Sequence, residues 1–277
     1  MITNIEEPIP KDADPFGLRK LDFINRIPER TEMFSNLEAQ TYIDGCDYPK
    51  SVDDLLFAWE INKRFNHIGI ERMHILDAMT GPGRLGSELL SLGASHITFH
   101  DGHNIMLDHA EKKALELFQP DRFSTILSPV DTLKVLDNTF DLVVCHNSTH
   151  QLENAEKLRK TLAEFMRVTK PNGWIVIADY QRNWTPKFIN SLEDRLIWTR
   201  SDIIPLLLPT FQAAFTKEEF NDAVEATTGV QKWLVFDASL PTLSPEMLEK
   251  IEQDPVKGHV LDFSPISCRV CIQKETI

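Results

Sequence analysis

The chain has no excess of positive charge. Lys and Arg number 29 against 42 Asp and Glu in 277 residues, a formal net charge of -13. Such a balance repels phosphate backbones, and no run of Lys and Arg supplies a local basic patch, so a nucleic-acid substrate is disfavoured. Long apolar runs are missing too. The membrane candidate Ile203 to Leu208, with Pro205 inside it, falls far short of the roughly 20 residues that a spanning helix needs. The opening residues MITNIEEPIPKDADPF are acidic and broken by prolines, unlike a signal peptide. A cytoplasmic protein with no membrane partner is the expectation. Cysteine is scarce as well. Cys268 and Cys271 form a C-x-x-C within ISCRVCI, which reads as a terminal strand, and an odd separation turns two strand side chains to opposite faces. Cys46 and Cys145 are isolated, and no metal site is expected.

What remains is ample for a core. With 42% hydrophobic residues the chain can bury one large domain plus an appendage. Residues 1–50 carry prolines at 8, 10, 15, 28 and 49 and short amphipathic pieces such as Phe16 to Ile27, and read as an extension packed over a main domain of residues 51–277. Ser51 and Asp54, followed by Leu55, Leu56, Trp59 and Phe65, have an N-cap and helical spacing. Strands are expected near 73–77, 96–100, 123–127, 140–145 and 174–178, with helical patterns between them, an alternation that implies parallel pairing and right-handed crossovers. Ala155, Leu158, Leu162, Phe165 and Met166 recur on one helical face and suit packing on that sheet. Thr216 and Glu219 form a capping box for a helix ending near Gly229.

The richest segment runs from Ile75 through ILDAMTGPGRLG to ITFHDGHN. An apolar strand feeds Gly81, Gly83 and Gly86, where the backbone can approach a ligand without a Cβ in the way. The next helix offers free N–H groups. Asp101 follows Gly81 by about twenty residues, where a carboxylate grips a ribose diol. Formally this is also a dinucleotide fingerprint, so a nicotinamide-dependent oxidoreductase is one alternative. Asp77 separates the two, because a carboxylate at the loop repels a pyrophosphate and suits a ligand carrying an ammonium and a sulfonium.

At this point the chain resembles the class I S-adenosylmethionine-dependent methyltransferases. Beyond the glycine loop, ITFHDGHNIMLDHA is similar to the family's second motif, SPVD to its third, FDLVVCH to its fourth strand and RVTKPNG to its turn before strand five. The resemblance implies an α/β, Rossmann-like fold: a mostly parallel seven-stranded sheet between helices, with an N-terminal helical cap and an insert after strand five. It also implies S-adenosyl-L-methionine as cofactor, with Asp101 on the ribose and Asp131 on the adenine amino group. Asp77, Met79, Gly81, Gly83, Gly102, His103, Cys145 and His146 complete that cofactor set. Two departures stand out. Met79 occupies the usual first-glycine position, which keeps a non-catalytic scaffold open as an alternative, and Asn172 replaces a turn glycine, a substitution that the left-handed tolerance of Asn allows.

The chemistry implied is in-line methyl transfer to a small molecule, which alignment alone accelerates strongly. An acceptor hydroxyl, phenol or acidic carbon also needs a base. His150, just past strand four at the carboxyl edge of the sheet, is the candidate, although a histidine near a helix start also commonly bonds the backbone. His100 is read as bordering the ribose or adenine, and Asp179 as touching substrate. Residues 180–215 are rich in aromatics and cations and read as a substrate lid or as packing for the extension or a dimer. Tyr180, Trp184, Arg195, Trp198 and Arg200 are the substrate candidates, the arginines for a carboxylate or phosphate. Acceptor atom, substrate and oligomeric state are not legible at this level, and a homodimer is one possibility.

Overall fold

The computed structural model describes residues 16, 18, 25–29, 35–46, 53–183, 189, 190, 192, 193, 196, 204–238 and 267–276. Among the described residues there are seven strands: β1 His74–Ala78, β2 His96–Asp101, β3 Phe123–Leu127, β4 Phe140–His146, β5 Thr169–Tyr180, β6 Val230–Asp237 and β7 Ser267–Lys274. They form one sheet in the order β3-β2-β1-β4-β5-β7-β6. The first five pair parallel with one another, and β7 runs antiparallel to both β5 and β6. This is the expected fold class. Winding proceeds outward from β1 to β3, then returns to place β4 on the other side of β1. The carboxyl ends of β1 and β4 therefore flank a topological switch point, where ligands of open α/β sheets bind.

Helices cover both faces. Helices α2 (Asp53–Phe65), α3 (Arg84–Ser91) and α4 (Asn104–Leu117) lie on one side. Their buried Phe57, Ile61, Leu85, Leu89, Leu107 and Ala110 pack with Ile75, Phe99, Leu142 and Val144 of the sheet. On the other side are α5 (Ala155–Val168) and α7 (Lys217–Glu225), whose Leu158, Leu162, Phe165, Phe220 and Val224 pack with Leu76, Val143 and Ile177. A sheet buried on both faces reads as near-continuous apolar runs, as in β4. Cys268 and Cys271 sit in opposite core clusters, as their offset of three on a strand requires.

Local signals act as expected at several ends. Thr216 Oγ1 accepts from Glu219 N at 3.2 Å, and Glu219 Oε2 accepts from Thr216 N at 2.7 Å, a complete capping box. Asn154 caps α5 by accepting from Lys157 N at 2.9 Å. Asn172 has φ 62, so the turn survives without its glycine. Strand five begins earlier than 174, because Thr169 already pairs with Phe140 before a register shift. Ser51 lies outside the described residues, and α2 is described from Asp53.

Two elements carry no strong sequence signal. β6 is an edge strand whose Trp233 and Leu234 are exposed while Val235 and Phe236 are partly buried against opposite core clusters; its apolar run, Trp233 to Phe236, is short and shows no alternation. Helix α1 (Asn36–Cys46) packs Ala39 and Ile43 on Met106 of α4. In the insert, helix α6 (Ile204–Ala213) contains Pro209. Its Phe211 and the following Ala214 form a third cluster with Leu18, Tyr180, Ile189, Leu192 and Leu196. Extension and insert thus meet over the end of β5. Among the described residues no helix is long and apolar enough to cross a membrane.

Candidate active site

The loop after β1 is held by side chains from β1, from β2 and from the segment just past β4. Asp77, 1% exposed, accepts through Oδ2 from Gly86 N at 2.9 Å and from Thr80 Oγ1 at 2.5 Å. Burial drives its carboxyl up to about 7, against these hydrogen bonds, and Asp54 pushes the same way. Gly83 takes φ 77, and a Cβ there would lie 2.5 Å from that of Ala110, so the loop and α4 meet only because this residue is glycine. Gly81 differs. Its φ is 53 and a Cβ would meet nothing within 4 Å, so open space lies in front of the loop. Met79 also adopts a left-handed φ of 55. It is fixed there by N–H donation to His100 Nδ1 at 3.2 Å and by Ser148 Oγ donating to its carbonyl at 2.9 Å.

His100 has a different role from the one its position suggests. Accepting at Nδ1 leaves its proton on Nε2, which donates to Ser128 O at 2.9 Å. Burial keeps the ring neutral by lowering its pKa. The ring is a brace between the first loop and the end of β3, with both nitrogens in use. Asp101 closes the loop on the other side, accepting from Gly81 N at 2.9 Å and His103 N at 2.8 Å. Gly102 and His103 follow it, His103 as the N-cap of α4. Ser128 Oγ is buried beside this corner with no hydrogen-bond partner among the described residues. A buried hydroxyl in that state is costly unless a ligand satisfies it. Asp131 sits past β3 with its carboxylate on Lys157 Nζ at 2.6 Å, which holds it below the usual carboxylate range.

Across the switch point, His146 Nδ1 is 2.9 Å from Asp54 Oδ1, and Arg84 pairs with Asp54 Oδ2 at 2.8 Å. Burial works to raise the Asp54 carboxyl, but Arg84 and the His146 hydrogen bond override it and hold it well below the ordinary range. The ring of Phe57 lies 5.0 Å from that of His146. Asp54 and Arg84 were not singled out as site residues from sequence. The available signals were an arginine inside the glycine loop and an acid at the start of α2. Cys145 turns its side chain, fully buried, into the core with Val143, and burial raises its thiol far above the usual value. Its side chain therefore faces away from the crevice.

His150 lies on the short 3-10 turn Thr149–Gln151. Its Nδ1 is 2.8 Å from Asp179 Oδ1, and its backbone N–H donates to Asp179 Oδ2 at 3.0 Å. Tyr180 N donates to Oδ1 at 2.8 Å, and Thr149 Oγ1 bonds Oδ2. Asp179 is 1% exposed and spends its carboxylate on these four donors, so it orients His150 instead of touching substrate. Burial opposes both charges. The pair overcomes it, raising His150 and lowering Asp179. Tyr180 is buried in the third cluster, its ring 5.9 Å from that of His150 and 4.9 Å from Phe211. Trp184, Arg195, Trp198 and Arg200 lie outside the described residues.

A methyltransferase domain family matches residues 75–173. The ubiquinone/menaquinone biosynthesis C-methyltransferase UbiE of Rickettsia felis is 26% identical over 174 residues, 60% of this chain and 66% of that protein. The chain thus spans just under two thirds of that relative's length. Among solved structures, the plantazolicin methyltransferase BpumL in complex with a triazolic desmethylPZN analog and SAH superposes with a TM-score of 0.63 at 15% identity, covering 87% of this chain and 92% of that one. A SAM-dependent methyltransferase from Aquifex aeolicus gives 0.57 at 17%, covering 87% of this chain and 100% of that one. These structural likenesses speak for the fold, and the domain match speaks for the segment that carries the glycine loop, Asp101 and the turn before β5. Residues 75–173 thus match a methyltransferase domain, and the fold is the one these S-adenosylmethionine-dependent methyltransferases share.

Proposed function

We propose that the protein transfers a methyl group from S-adenosylmethionine to a small-molecule acceptor whose reacting atom carries an acidic proton, a hydroxyl, a phenol or an activated carbon. One observation carries this reading. The crevice at the switch point joins a ligand-ready loop to a buried His150–Asp179 dyad on the adjoining strand ends. The residues suit the cofactor: open space before Gly81 admits it, Ser128 Oγ awaits a partner, and the buried carboxylate of Asp77 and the half-buried one of Asp101 answer its cation and its ribose. Asp131 on the adenine side and His146 at the end of β4 complete the assignment. When bound, S-adenosylmethionine supplies an electrophilic methyl on sulfur.

The protein's part is alignment, exclusion of water and proton removal. With Asp179 fixing Nδ1, His150 presents Nε2 to the acceptor. The carbon acceptors named in the UbiE relative and in the CurJ carbon methyltransferase, a neighbour with TM-score 0.55, favour an activated carbon within this class. We assign the described part of the insert, α6 above all, to a lid and residues 25–29 to a cap over the acceptor end, in a cytoplasmic enzyme; the remainder of the expected lid and cap lies outside the described residues.

Calorimetric titration with S-adenosylmethionine, S-adenosylhomocysteine and NADH tests the assignment. Affinity on the order of micromolar for the sulfur ligands alone is expected. Binding of NADH alone would replace the reading with an oxidoreductase, and no binding at all would make the chain a scaffold.

Asp77 adds a pH signature. Its raised pKa means that the folded protein holds a proton that the unfolded chain releases near 3.8. Its contribution to stability is therefore full below that value and lost as pH rises through about 7. A cationic ligand favours the ionised carboxylate, so binding has the opposite slope. Affinity for S-adenosylhomocysteine, through its ammonium, should weaken by up to about tenfold per pH unit between pH 7 and 5.5. In Asp77→Asn the curve should be flatter, and identical curves for the two proteins would remove Asp77 from the cation's surroundings.

A further inference from the structure

Residues 25–29 lie over the dyad, fastened by one side chain. Arg26 Nε donates to Ala213 O at 2.6 Å, Nη1 to Glu153 O at 2.7 Å, and Nη2 to His150 O at 3.0 Å and to Leu152 O. Its guanidinium also stacks 4.0 Å from the centroid of Phe215, and Ile27 N donates to Gln212 O at 3.2 Å. Burial pulls the guanidinium down to about 10, so it stays charged at neutral pH. A partly buried cation that spends its fork on four carbonyls fixes whatever it connects. Here it ties the N-terminal segment to the turn bearing His150 and to the end of α6.

That fastening delivers Glu29. Its Oε1 accepts from Thr210 Oγ1 at 2.5 Å and stands 4.0 Å from His150 Nε2. The opposite nitrogen, Nδ1, faces Asp179 at 2.8 Å. The imidazole is therefore addressed by a carboxylate at each nitrogen. Its side chain is 5% exposed and that of Glu29 14%, so the pair is little screened by water.

We propose that Glu29 is a positioning residue for the acceptor base: seated by Arg26, it holds a proton on His150 Nε2 until an arriving acceptor displaces it. The inference rests on the reading of His150 as that base. With both nitrogens protonated the ring cannot accept a further proton. When the segment shifts, Nε2 and the Glu29 carboxylate come into hydrogen-bond contact and the Nε2 proton passes to Glu29, whose partial exposure lets it leave to water; the acceptor then takes the place of Glu29 beside Nε2. The freed Nε2 lone pair then takes the acceptor's proton as the bond from methyl to nucleophile forms and the bond from methyl to sulfur breaks, its electron pair staying on sulfur. A gap of 4.0 Å is too long for a hydrogen bond and too short to admit another group, so the segment has to yield for the base to act.

The charged groups facing the ring are Asp179 from β5 and Glu29 and Arg26 from the N-terminal segment; Tyr180 from β5 and Thr210 from α6 are neutral neighbours. Burial pulls the ring's pKa down, Asp179 and then Glu29 raise it, Arg26 opposes them, and the balance lies above the ordinary value. This direction agrees with the geometry.

The test is an NMR titration of the histidine imidazoles in the full chain without ligand. The His150 signal among the nine histidines is identified by its loss in His150→Gln. Glu29→Gln removes the charge while keeping an oxygen for Thr210, and should lower the His150 midpoint by about one pH unit; Glu29→Asp should restore part of that shift. An unmoved midpoint in Glu29→Gln would overturn the proposal. The base reading fails separately. A moved midpoint with undiminished methyl transfer by His150→Ala supports the proton-holding contact and sinks the base. An unmoved midpoint with impaired transfer by His150→Ala does the reverse.

Discussion

Replacing His150 by Ala should lower turnover of the acceptor by about 10²–10⁴-fold, the range that a positioned general base contributes. The geometry confines this loss to the chemical step. His150 bonds Asp179 and belongs to the turn after β4, whereas the loop that receives the cofactor is held by Asp77, His100 and Asp101. Affinity for S-adenosylhomocysteine should therefore stay within about twofold of the unsubstituted protein, and kcat and kcat/KM should fall together. Asp179→Asn should follow the same pattern, because an amide in place of the carboxylate neither fixes the Nδ1 proton nor stabilises the imidazolium. Formation of S-adenosylhomocysteine with any acceptor turned over by the unsubstituted protein is the measurement. A rate unchanged in both variants would show that no base acts at this position.

Asp101→Ala should cost about 2–4 kcal/mol of cofactor affinity, roughly 30- to 1000-fold in Kd. Two losses add. The ribose hydroxyls lose their acceptor, and the N–H groups of Gly81 and His103, which the carboxylate now holds at 2.9 and 2.8 Å, lose theirs in a largely buried corner. The second loss loosens the loop before any ligand arrives, so part of the effect should appear as a lower melting temperature of the free protein. Asp101→Asn keeps one oxygen and the side-chain volume, and should recover some stability but little affinity. Calorimetry with S-adenosylhomocysteine decides the matter, and an unchanged Kd would take the ribose away from Asp101.

Much of this was legible along the chain. Glycines that need open or left-handed backbone, an acid at the end of β2, apolar runs of strand length, the Thr216–Glu219 box and the opposite facing of Cys268 and Cys271 depend on residues within about one turn or one strand of each other. Their physics is local, and the pattern therefore survives in the linear sequence. β6 escaped notice because its apolar run, Trp233 to Phe236, is short and a mostly exposed edge strand shows no hydrophobic alternation.

The sequence by itself determined the class of fold, the glycine loop to which the cofactor is assigned and the position of His150 at a strand end. Only the tertiary structure decided what surrounds them. His146 meets Asp54 across 92 positions, Asp179 reaches back 29 positions to orient His150, and Arg26 clasps Ala213 across 187. Each of these pairs is brought together by strand order and by burial of a shared core. A residue's neighbours in sequence carry no record of either.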